Sequence, residues 1–350
     1  TSAGSRARTC TCAGAGRWNY GRILMTSDSS RTDPVLGSIH AATFSESTSA
    51  TIAHASAKLM GTTANVTTVG GSPDVPEKVI DYLRHLESLW SRFRADSELS
   101  HANSNPGISH SVSAETIRLV QEMKRGHRLT GGAFDPTLLG ALIAQGYGTS
   151  LSNPRLVTEL PPSAKRRGDI AAIDISDSTL RLPLGTTLDS GGVGKGLAAD
   201  LCAAHAMSLG ALGALVDVGG DVSLQGASPR GNSWRLAIES PLDSSHRVST
   251  VELSGGGIAT STVLKRRFVV GDTETHHIIN PFTLESTQSD TSQATVIAHS
   301  AADAEMWTKV AFVHDSRQFF ASAARHGFHA GCFLTSGEWI TTKDWPEYAA

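Results

Sequence analysis

The chain has 350 residues and a net charge of −3, and 39% of its residues are hydrophobic while 18% are charged. These values are typical of a globular protein, and the balanced charge gives no reason to expect nucleic acid or an anionic membrane as a partner. The sequence contains no run of about 18 apolar residues, so no transmembrane helix is predicted. The four cysteines, Cys10, Cys12, Cys202 and Cys332, have the spacing of neither a disulfide framework nor a zinc site.

The N-terminal region, residues 1–55, is predicted to be a disordered tail. Residues 1–22 are rich in Gly, Ser and Arg and have no hydrophobic period, and Met25 is a candidate for the natural first residue. Neither a secretory signal nor a lipobox is evident, so we expect a cytoplasmic location. The remaining residues, 56–350, are expected to form a single domain.

Hydrophobic periodicity predicts the elements of this domain. In chain order, they are a strand from about Ser56 to Gly70, helices over 76–93 and 113–132, a hairpin over 169–183, a short strand before residue 189, an amphipathic helix after residues 191–196, two strands within 214–227, strands over 234–241, 249–260, 266–281 and 292–300, a helix over 301–313, and short strands at the C-terminus. Hairpin strands mixed with a few long helices favour an α+β fold.

The most informative segment is TTLDSGGVGKGLAADL, residues 186–201, in which four glycines surround Lys195 at the start of a helix. The glycines are Gly191, Gly192, Gly194 and Gly196. Closely spaced glycines let backbone N–H groups approach a ligand, and the helix N-terminus and the lysine add positive charge. The segment therefore predicts a phosphorylated ligand, with a plain strand-to-helix turn as the alternative. The residue after the lysine is Gly196 rather than Ser or Thr, which argues against a Walker A loop.

Seven short motifs occur together in the chain. They are SRFRADSELSHAN (91–103), GGAFDPTLLG (131–140), LDSGGVGKG (188–196), DVGGD (217–221), GGIATS (256–261), HHIINP (276–281) and AADAEMWTK (301–309). In this order and with these gaps, from about Met60 to about Trp339, they resemble the FAD:protein FMN transferase family, also called the ApbE family.

The resemblance implies a transferase that moves FMN from FAD to a Ser or Thr hydroxyl of a target protein, releases AMP and needs Mg²⁺. It also implies an ApbE-like α+β fold, with mixed and antiparallel sheets and packed helices in two closely associated halves. The expected partners are FAD and a flavin-acceptor protein. Two alternatives remain open: an FAD-binding protein without transfer activity, and an FAD pyrophosphatase that gives FMN and AMP. A P-loop NTPase is disfavoured by the residue that follows Lys195.

The resemblance also assigns the central roles. Lys195, with Gly191 and Gly192, would hold the pyrophosphate of FAD. His277 matches the histidine of the family's HIIDP motif and would be the general base for the target hydroxyl, since imidazole titrates near neutral pH. Successive side chains of a strand point to opposite faces, so His276 and His277 cannot both face the site.

The implied metal site departs from the family pattern. Its ligands would be the carbonyl of Gly194 and the side chains at positions 305 and 309, where the family has Asp and Thr and this chain has Glu305 and Lys309. The two residues share a helix face. Glu is a competent oxygen ligand for Mg²⁺, whereas a protonated lysine is not a ligand. Lys309 would either neutralise phosphate charge or pair with Glu305, and Asp303 and Thr308 lie on a different face.

Further FAD contacts are implied for five residues. These are Glu98, Asp135, Asp221, Thr260 and Ser261. For Glu98 a helix-cap contact is an alternative, and for the two aspartates a turn-stabilising role is about as plausible.

Overall fold

Strands and helices follow one another irregularly along the chain, in the α+β arrangement that the sequence predicts. The structure is a computed structural model that describes residues 50–348 apart from 151–152, 232, 244, 266 and 271–272. Most of the predicted tail, residues 1–49, lies outside the described residues. Residues 52–55, which the sequence pattern assigns to the tail, belong to the first strand.

The described strands are β1 Ile52–Leu59, β2 Thr62–Val69, β3 Ser109–Ser111, β4 Asp174–Ser176, β5 Thr179–Arg181, β6 Gly213–Val218, β7 Asp221–Gly226, β8 Trp234–Glu239, β9 Arg247–Leu253, β10 Gly256–Thr262, β11 Arg267–Val270, β12 Thr273–His276, β13 Thr291–Ala298, β14 His329–Leu334 and β15 Trp339–Thr341. The described helices are α1 Val75–Trp90, α2 Glu98–Ser104, α3 Ala114–Leu129, α4 Leu139–Ala144, α5 Gly194–Ser208, α6 Ala301–Val313 and α7 Ser316–Arg325. Among these helices, none is long and apolar enough to cross a membrane.

An antiparallel sheet of eight strands, in the order β1-β2-β6-β7-β10-β13-β14-β15, forms the centre of the fold. Helices α1, α5 and α6 pack against one face of it. The β8–β9 hairpin packs against the other face through a cluster that includes Trp234 and Val251. Both faces of the central strands are therefore covered, and polar side chains on these strands are buried.

Strand β7 places one of the predicted site residues, Asp221, against helix α5. Its side chains alternate between the two faces: Val222 and Leu224 join the cluster under β8–β9, while Asp221 and Ser223 contact α5. Asp221 is consequently held beneath the first turn of α5, where the glycine-rich segment ends.

The middle of helix α5 is tied to the N-terminal end of α6. The Asp200 carboxylate, on α5, accepts hydrogen bonds from the backbone N–H groups of Ala301 (3.0 Å) and Ala302 (2.9 Å). The Ser300 hydroxyl completes the cap by accepting from Asp303 N–H at 3.1 Å. These contacts satisfy amide groups that a helix start leaves without intrahelical partners, and they fix how α6 enters the site.

Several predicted elements are confirmed, among them the helices over 76–93 and 113–132, the hairpin over 169–183, the two strands within 214–227 and the helix over 301–313. The single strand predicted from Ser56 is wrong, because the chain reverses at Met60 and Gly61, which have φ angles of 52° and 69°. The turn sequence is Met-Gly rather than the Asn-Gly by which such hairpins are usually recognised, so the sequence pattern does not reveal the turn.

Three other predictions are corrected. Residues 249–260 form two strands in different sheets, β9 and β10. Helix α7 stands where short strands were expected, and the Asp315 carboxylate caps it by accepting from Gln318 N–H at 2.8 Å. Helix α5 is not amphipathic: only Ala204 and Ser208 are exposed, because α1, α6 and the sheet surround it.

Candidate active site

A cavity of about 400 Å³ lies where loops from separate parts of the chain converge. This volume is within the range of small-molecule sites. Its walls come from the end of α1 and the loop after it, the segment before α4, the glycine-rich turn before α5, the segment after β12, and α6. Its lining includes Trp90, Arg92, Phe93, Phe134, Asp135, Tyr147, Asp189, Gly191, Gly192, Gly194, Lys195, His277 and Lys309.

The glycine-rich turn is preceded by an extended segment rather than by the predicted strand. The Asn103 side chain replaces a strand neighbour: its amide donates to Leu188 O (2.8 Å) and accepts from Leu188 N–H (2.7 Å). The Ser190 carbonyl then accepts from the N–H groups of Val193 (3.2 Å) and Gly194 (2.7 Å). This pairing closes the turn and starts α5.

Two backbone amides of this turn are available to a ligand. Gly191 and Gly192 line the cavity, and neither N–H group has a hydrogen-bond acceptor among the residues that the structure describes. Consecutive unpaired amides before a helix form a concavity that suits an anion. If this segment binds a phosphorylated ligand, as predicted, the phosphate would lie against the amides of Gly191 and Gly192 in the cavity wall.

Two of the glycines are required by close packing. A Cβ at Gly192 would lie 2.8 Å from the Phe134 ring, and a Cβ at Gly196 would lie 2.3 Å from the backbone oxygen of Ala301. Gly196 thus allows α5 to approach the start of α6, which is a structural reason for this glycine that the sequence pattern does not reveal.

We expect Gly196→Ala to destabilise the protein by about 1–3 kcal/mol or more, because the added methyl group meets backbone that cannot rotate away. Gly148→Ala is the control, since a Cβ at Gly148 makes only ordinary contacts, the nearest at 3.6 Å from Ile143. Urea unfolding of the two variants and the parent protein measures the effect. Equal midpoints for the two variants would show that α5 and α6 can separate without cost.

Lys195 lies in the cavity wall, but its ammonium is engaged by two carboxylates. It donates to Asp221 and forms an ion pair with Glu305 Oε1 at 3.2 Å. The other Glu305 oxygen accepts from Gly196 N–H at 2.8 Å. Both carboxylate side chains are buried, with 1% and 0% of their surface exposed. Lys195, Asp221 and Glu305, which we call the buried triad, therefore join α5, β7 and α6.

Lys309 lies one helical turn after Glu305 and reaches the same cavity. Its Nζ donates to the Ser261 hydroxyl (2.8 Å), the Thr308 hydroxyl (3.0 Å) and the backbone oxygen of Glu305 (3.2 Å). A Cβ on Gly192 would be 3.8 Å from Lys309 Cε, so the lysine side chain passes directly beside the glycine turn. It contacts the backbone oxygen of Glu305, and the Glu305 carboxylate belongs to the buried triad.

The donor set does not fit the Mg²⁺ that the resemblance implies at Gly194, Glu305 and Lys309. The carboxylate of Glu305 already binds an ammonium and an amide. Lys309 stands where the family has a hydroxyl ligand, and its ammonium, which donates to the Ser261 hydroxyl, has no lone pair for a metal ion. Within the described ranges, no group of three or more His, Cys, Asp or Glu side chains is placed to hold a metal ion.

The two adjacent histidines have different surroundings. His277 lines the cavity, with its ring 5.9 Å from that of Tyr147. His276 instead packs against backbone, with Nε2 3.0 Å from Thr287 O and Nδ1 accepting from Ile278 N–H at 3.3 Å. Burial lowers the pKa of His276, and Arg267 lowers it further. Of the two histidines, His277 therefore lines the cavity and His276 does not.

The other predicted FAD contacts are placed as follows. Asp135 lines the cavity, and its carboxylate accepts from Thr137 N–H (2.9 Å) and from Arg167 Nε (2.7 Å), so the turn-stabilising contact is present. Glu98 is away from the cavity lining and accepts from Ser113 N–H at 2.9 Å, at the start of α3.

Two candidates on β10 lie behind the cavity wall. Ser261 contacts Lys309 and Thr308, whereas Thr260 pairs with the Thr295 hydroxyl at 2.9 Å. Neither Thr260 nor Ser261 lines the cavity itself. Ser261 therefore acts on the site through Lys309.

Comparison with known proteins agrees with this arrangement. The sequence model of the ApbE family matches residues 60–332. The chain belongs to the ApbE family. An FAD:protein FMN transferase from Vibrio cholerae is 28% identical over 264 residues, which cover 72% of this chain and 78% of that protein.

Solved ApbE structures have the same fold. The ApbE protein from Thermotoga maritima superposes with a TM-score of 0.74 at 24% identity, covering 84% of this chain and 97% of that chain. The apo form of the flavinyl transferase ApbE from Pseudomonas stutzeri gives a TM-score of 0.69 at 26% identity, covering 84% of this chain and 94% of that chain.

One residue of this ApbE-family cavity was missed by the sequence analysis. Arg92 is buried, and its guanidinium donates to Thr158 Oγ1 (2.9 Å) and Tyr147 O (3.0 Å) and pairs with Asp189 at 3.3 Å. It also lies 4.1 Å from the centroid of the Phe93 ring. Arg92 therefore links the loop after α1, the Tyr147 segment and the glycine turn across the cavity. Its partners are far away in sequence, so no local pattern marks it.

Proposed function

We propose that this ApbE-family chain transfers FMN from FAD to a Ser or Thr hydroxyl of a target protein and releases AMP. The observation that carries the proposal is the meeting, in one cavity, of His277 with the two unpaired amides of Gly191 and Gly192. A base beside an anion-binding turn is what phosphoryl transfer to a hydroxyl requires. The names of the Vibrio cholerae and Pseudomonas stutzeri relatives support the same reaction.

In the proposed reaction, the hydroxyl oxygen of the acceptor attacks the phosphorus of the FMN half of FAD. A new P–O bond forms to the acceptor, the P–O bond to the AMP half breaks, and AMP leaves with that electron pair. His277 takes the hydroxyl proton as attack proceeds and later returns it to solvent. The amides of Gly191 and Gly192 stabilise negative charge on the phosphate oxygens.

The buried triad has an indirect role in this proposal. Lys195 holds Asp221 and Glu305, and Glu305 in turn fixes the first turn of α5 through Gly196 N–H. The resemblance alone implies that Lys195 binds the pyrophosphate. In this proposal Lys195 instead keeps the glycine turn in place. Because the donor set does not fit Mg²⁺, the proposal assigns no step to a metal.

An AMP assay tests the proposal against its two alternatives. The purified chain is incubated with FAD, with and without an acceptor protein, and AMP and intact FAD are quantified. AMP formed only with acceptor supports transfer. AMP formed equally without acceptor would identify an FAD pyrophosphatase, and FAD that binds but stays intact in both arms would identify an FAD-binding protein.

We expect Arg92→Met to weaken FAD binding about tenfold or more, because the hydrogen bonds of a charged group that join three segments of the cavity are lost. Arg92→Lys keeps the charge but not the planar fork, so its loss is expected to be nearly as large. Arg84→Met is the control, since Arg84 pairs with Asp81 on the exposed surface of α1. Fluorescence titration with FAD measures the effect, and unchanged affinity in Arg92→Met would remove Arg92 from the binding account.

A further inference from the structure

Residues 133–136 line the cavity, and their contacts reach both the glycine turn and the segment that carries His277. The contact with the glycine turn is direct. The Pro136 carbonyl accepts from the backbone N–H of Asp189 at 2.9 Å, just before the turn begins. What joins residues 133–136 to the histidine segment therefore determines how the base and the anion-binding amides are spaced.

The carboxylate of Asp135, within these residues, is engaged inside the protein. Its side chain is 1% exposed. One oxygen accepts from the N–H (2.9 Å) and the hydroxyl (2.6 Å) of Thr137, and the other accepts from Arg167 Nε at 2.7 Å. His127 Nε2 is 3.9 Å from that second oxygen, which is beyond hydrogen-bond distance. The charge of this buried carboxylate is therefore paired with Arg167.

Arg167 extends this contact to the histidine segment. While its Nε binds Asp135, its Nη1 donates to the Pro281 carbonyl at 3.3 Å. Pro281 closes the motif that carries His277, and the backbone between them is paired with residues 285–287 in a tight hairpin. A planar guanidinium binds two acceptors in a fixed geometry, which an ammonium on a flexible stem does not reproduce.

We propose that Arg167 is a positioning residue for flavin transfer: by joining Asp135 to Pro281, it sets the distance between the catalytic base and the glycine turn. This inference rests on the proposed function, because it takes His277 as the base. Arg167 is not among the residues that line the cavity, so it acts through its two partners. A misplacement of about 1 Å between reacting groups can slow a reaction about 10²-fold. Loss of the link should therefore appear in kcat and not in FAD affinity.

Transfer kinetics at saturating FAD test the inference, with an acceptor protein that the Vibrio cholerae relative flavinylates. The proteins compared are the parent, Arg167→Met, Arg167→Lys and the control Arg181→Met. Arg181 pairs with Asp174 at 3.2 Å on the surface, where more than half of each side chain is exposed, and its replacement should leave kcat unchanged. Arg167→Met should lower kcat about 10- to 100-fold, while the FAD dissociation constant and the acceptor KM stay close to the parent values.

Two further variants separate this link from a general effect on folding. Lysine at position 167 keeps a cation beside Asp135 but has a single nitrogen. We therefore expect Arg167→Lys to keep the urea midpoint of the parent and still to lower kcat about tenfold. The double variant Asp135→Asn/Arg167→Met should be no slower than Arg167→Met, because both changes break the same link.

Arg167→Met or Arg167→Lys with the kcat of the parent would overturn the inference and leave the proposed function standing. FAD affinity that falls in step with transfer would place Arg167 in the binding of FAD and would also overturn the inference. A parent chain that transfers nothing to an acceptor modified by the Vibrio cholerae relative would overturn the proposed function and the inference with it.

Discussion

Replacement of His277 by Ala is expected to slow flavin transfer by about 10²–10⁴-fold, the usual contribution of a general base. His277 lies in the cavity wall beside the glycine turn, whereas His276 contacts the backbone of Thr287 and Ile278. FAD affinity should change little, because the His277 role is to accept a proton and not to hold the nucleotide. AMP release in the presence of acceptor and FAD fluorescence titration measure the two quantities separately.

The matched control is His276→Gln, which keeps a side chain able to hydrogen-bond the backbone of Thr287. Its transfer rate should stay within a few-fold of the parent. A larger loss of transfer in His276→Gln than in His277→Ala would contradict the assignment and would mean that the ring in contact with Thr287 turns into the cavity when FAD binds.

Replacement of Lys195 by Met is expected to destabilise the protein by about 3–5 kcal/mol, because it leaves two buried carboxylates without their cation. The Asp221 and Glu305 side chains are 1% and 0% exposed, so water cannot replace the lysine at little cost. Restoring neutrality with Asp221→Asn and Glu305→Gln in the same chain should recover part of the loss. Urea unfolding of the single and triple variants measures both effects.

Lys78→Met provides the comparison for this prediction. Lys78 pairs with Asp74 at 2.9 Å on the surface, where both side chains are more than half exposed, and such pairs contribute about 0–1 kcal/mol. If Lys195→Met cost no more than Lys78→Met, the buried triad would not be the structural link between α5, β7 and α6 that its contacts indicate.

The sequence predicts the fold class and the family because both depend on local patterns. Periodicity predicts the long helices, and short motifs identify His277 and the glycine turn, both of which line the cavity. The hairpin at Met60 and the helix α7 escape prediction for local reasons, since one has an unusual turn residue and the other lies outside any recognised motif.

The contacts of the site depend on the order of strands and helices, which local patterns do not specify. Asp221 and Glu305 can be singled out from their motifs, but their common partner, Lys195, is evident only once β7 and α6 lie beside α5. Arg92 illustrates the same limit, because its guanidinium contacts residues 55 and 66 positions away in sequence.

Covalent flavin on an acceptor protein is the most direct measurement of the central claim. The purified chain is incubated with FAD and a protein that the Vibrio cholerae relative flavinylates, with that relative as a parallel positive control, and the acceptor is analysed by mass spectrometry. We predict that the acceptor gains one FMN on a Ser or Thr, that AMP forms in equal amount, and that an acceptor variant with Ala at that position gains nothing. Release of AMP with no gain in acceptor mass, or FAD recovered intact while the Vibrio cholerae relative modifies the same acceptor, would contradict it.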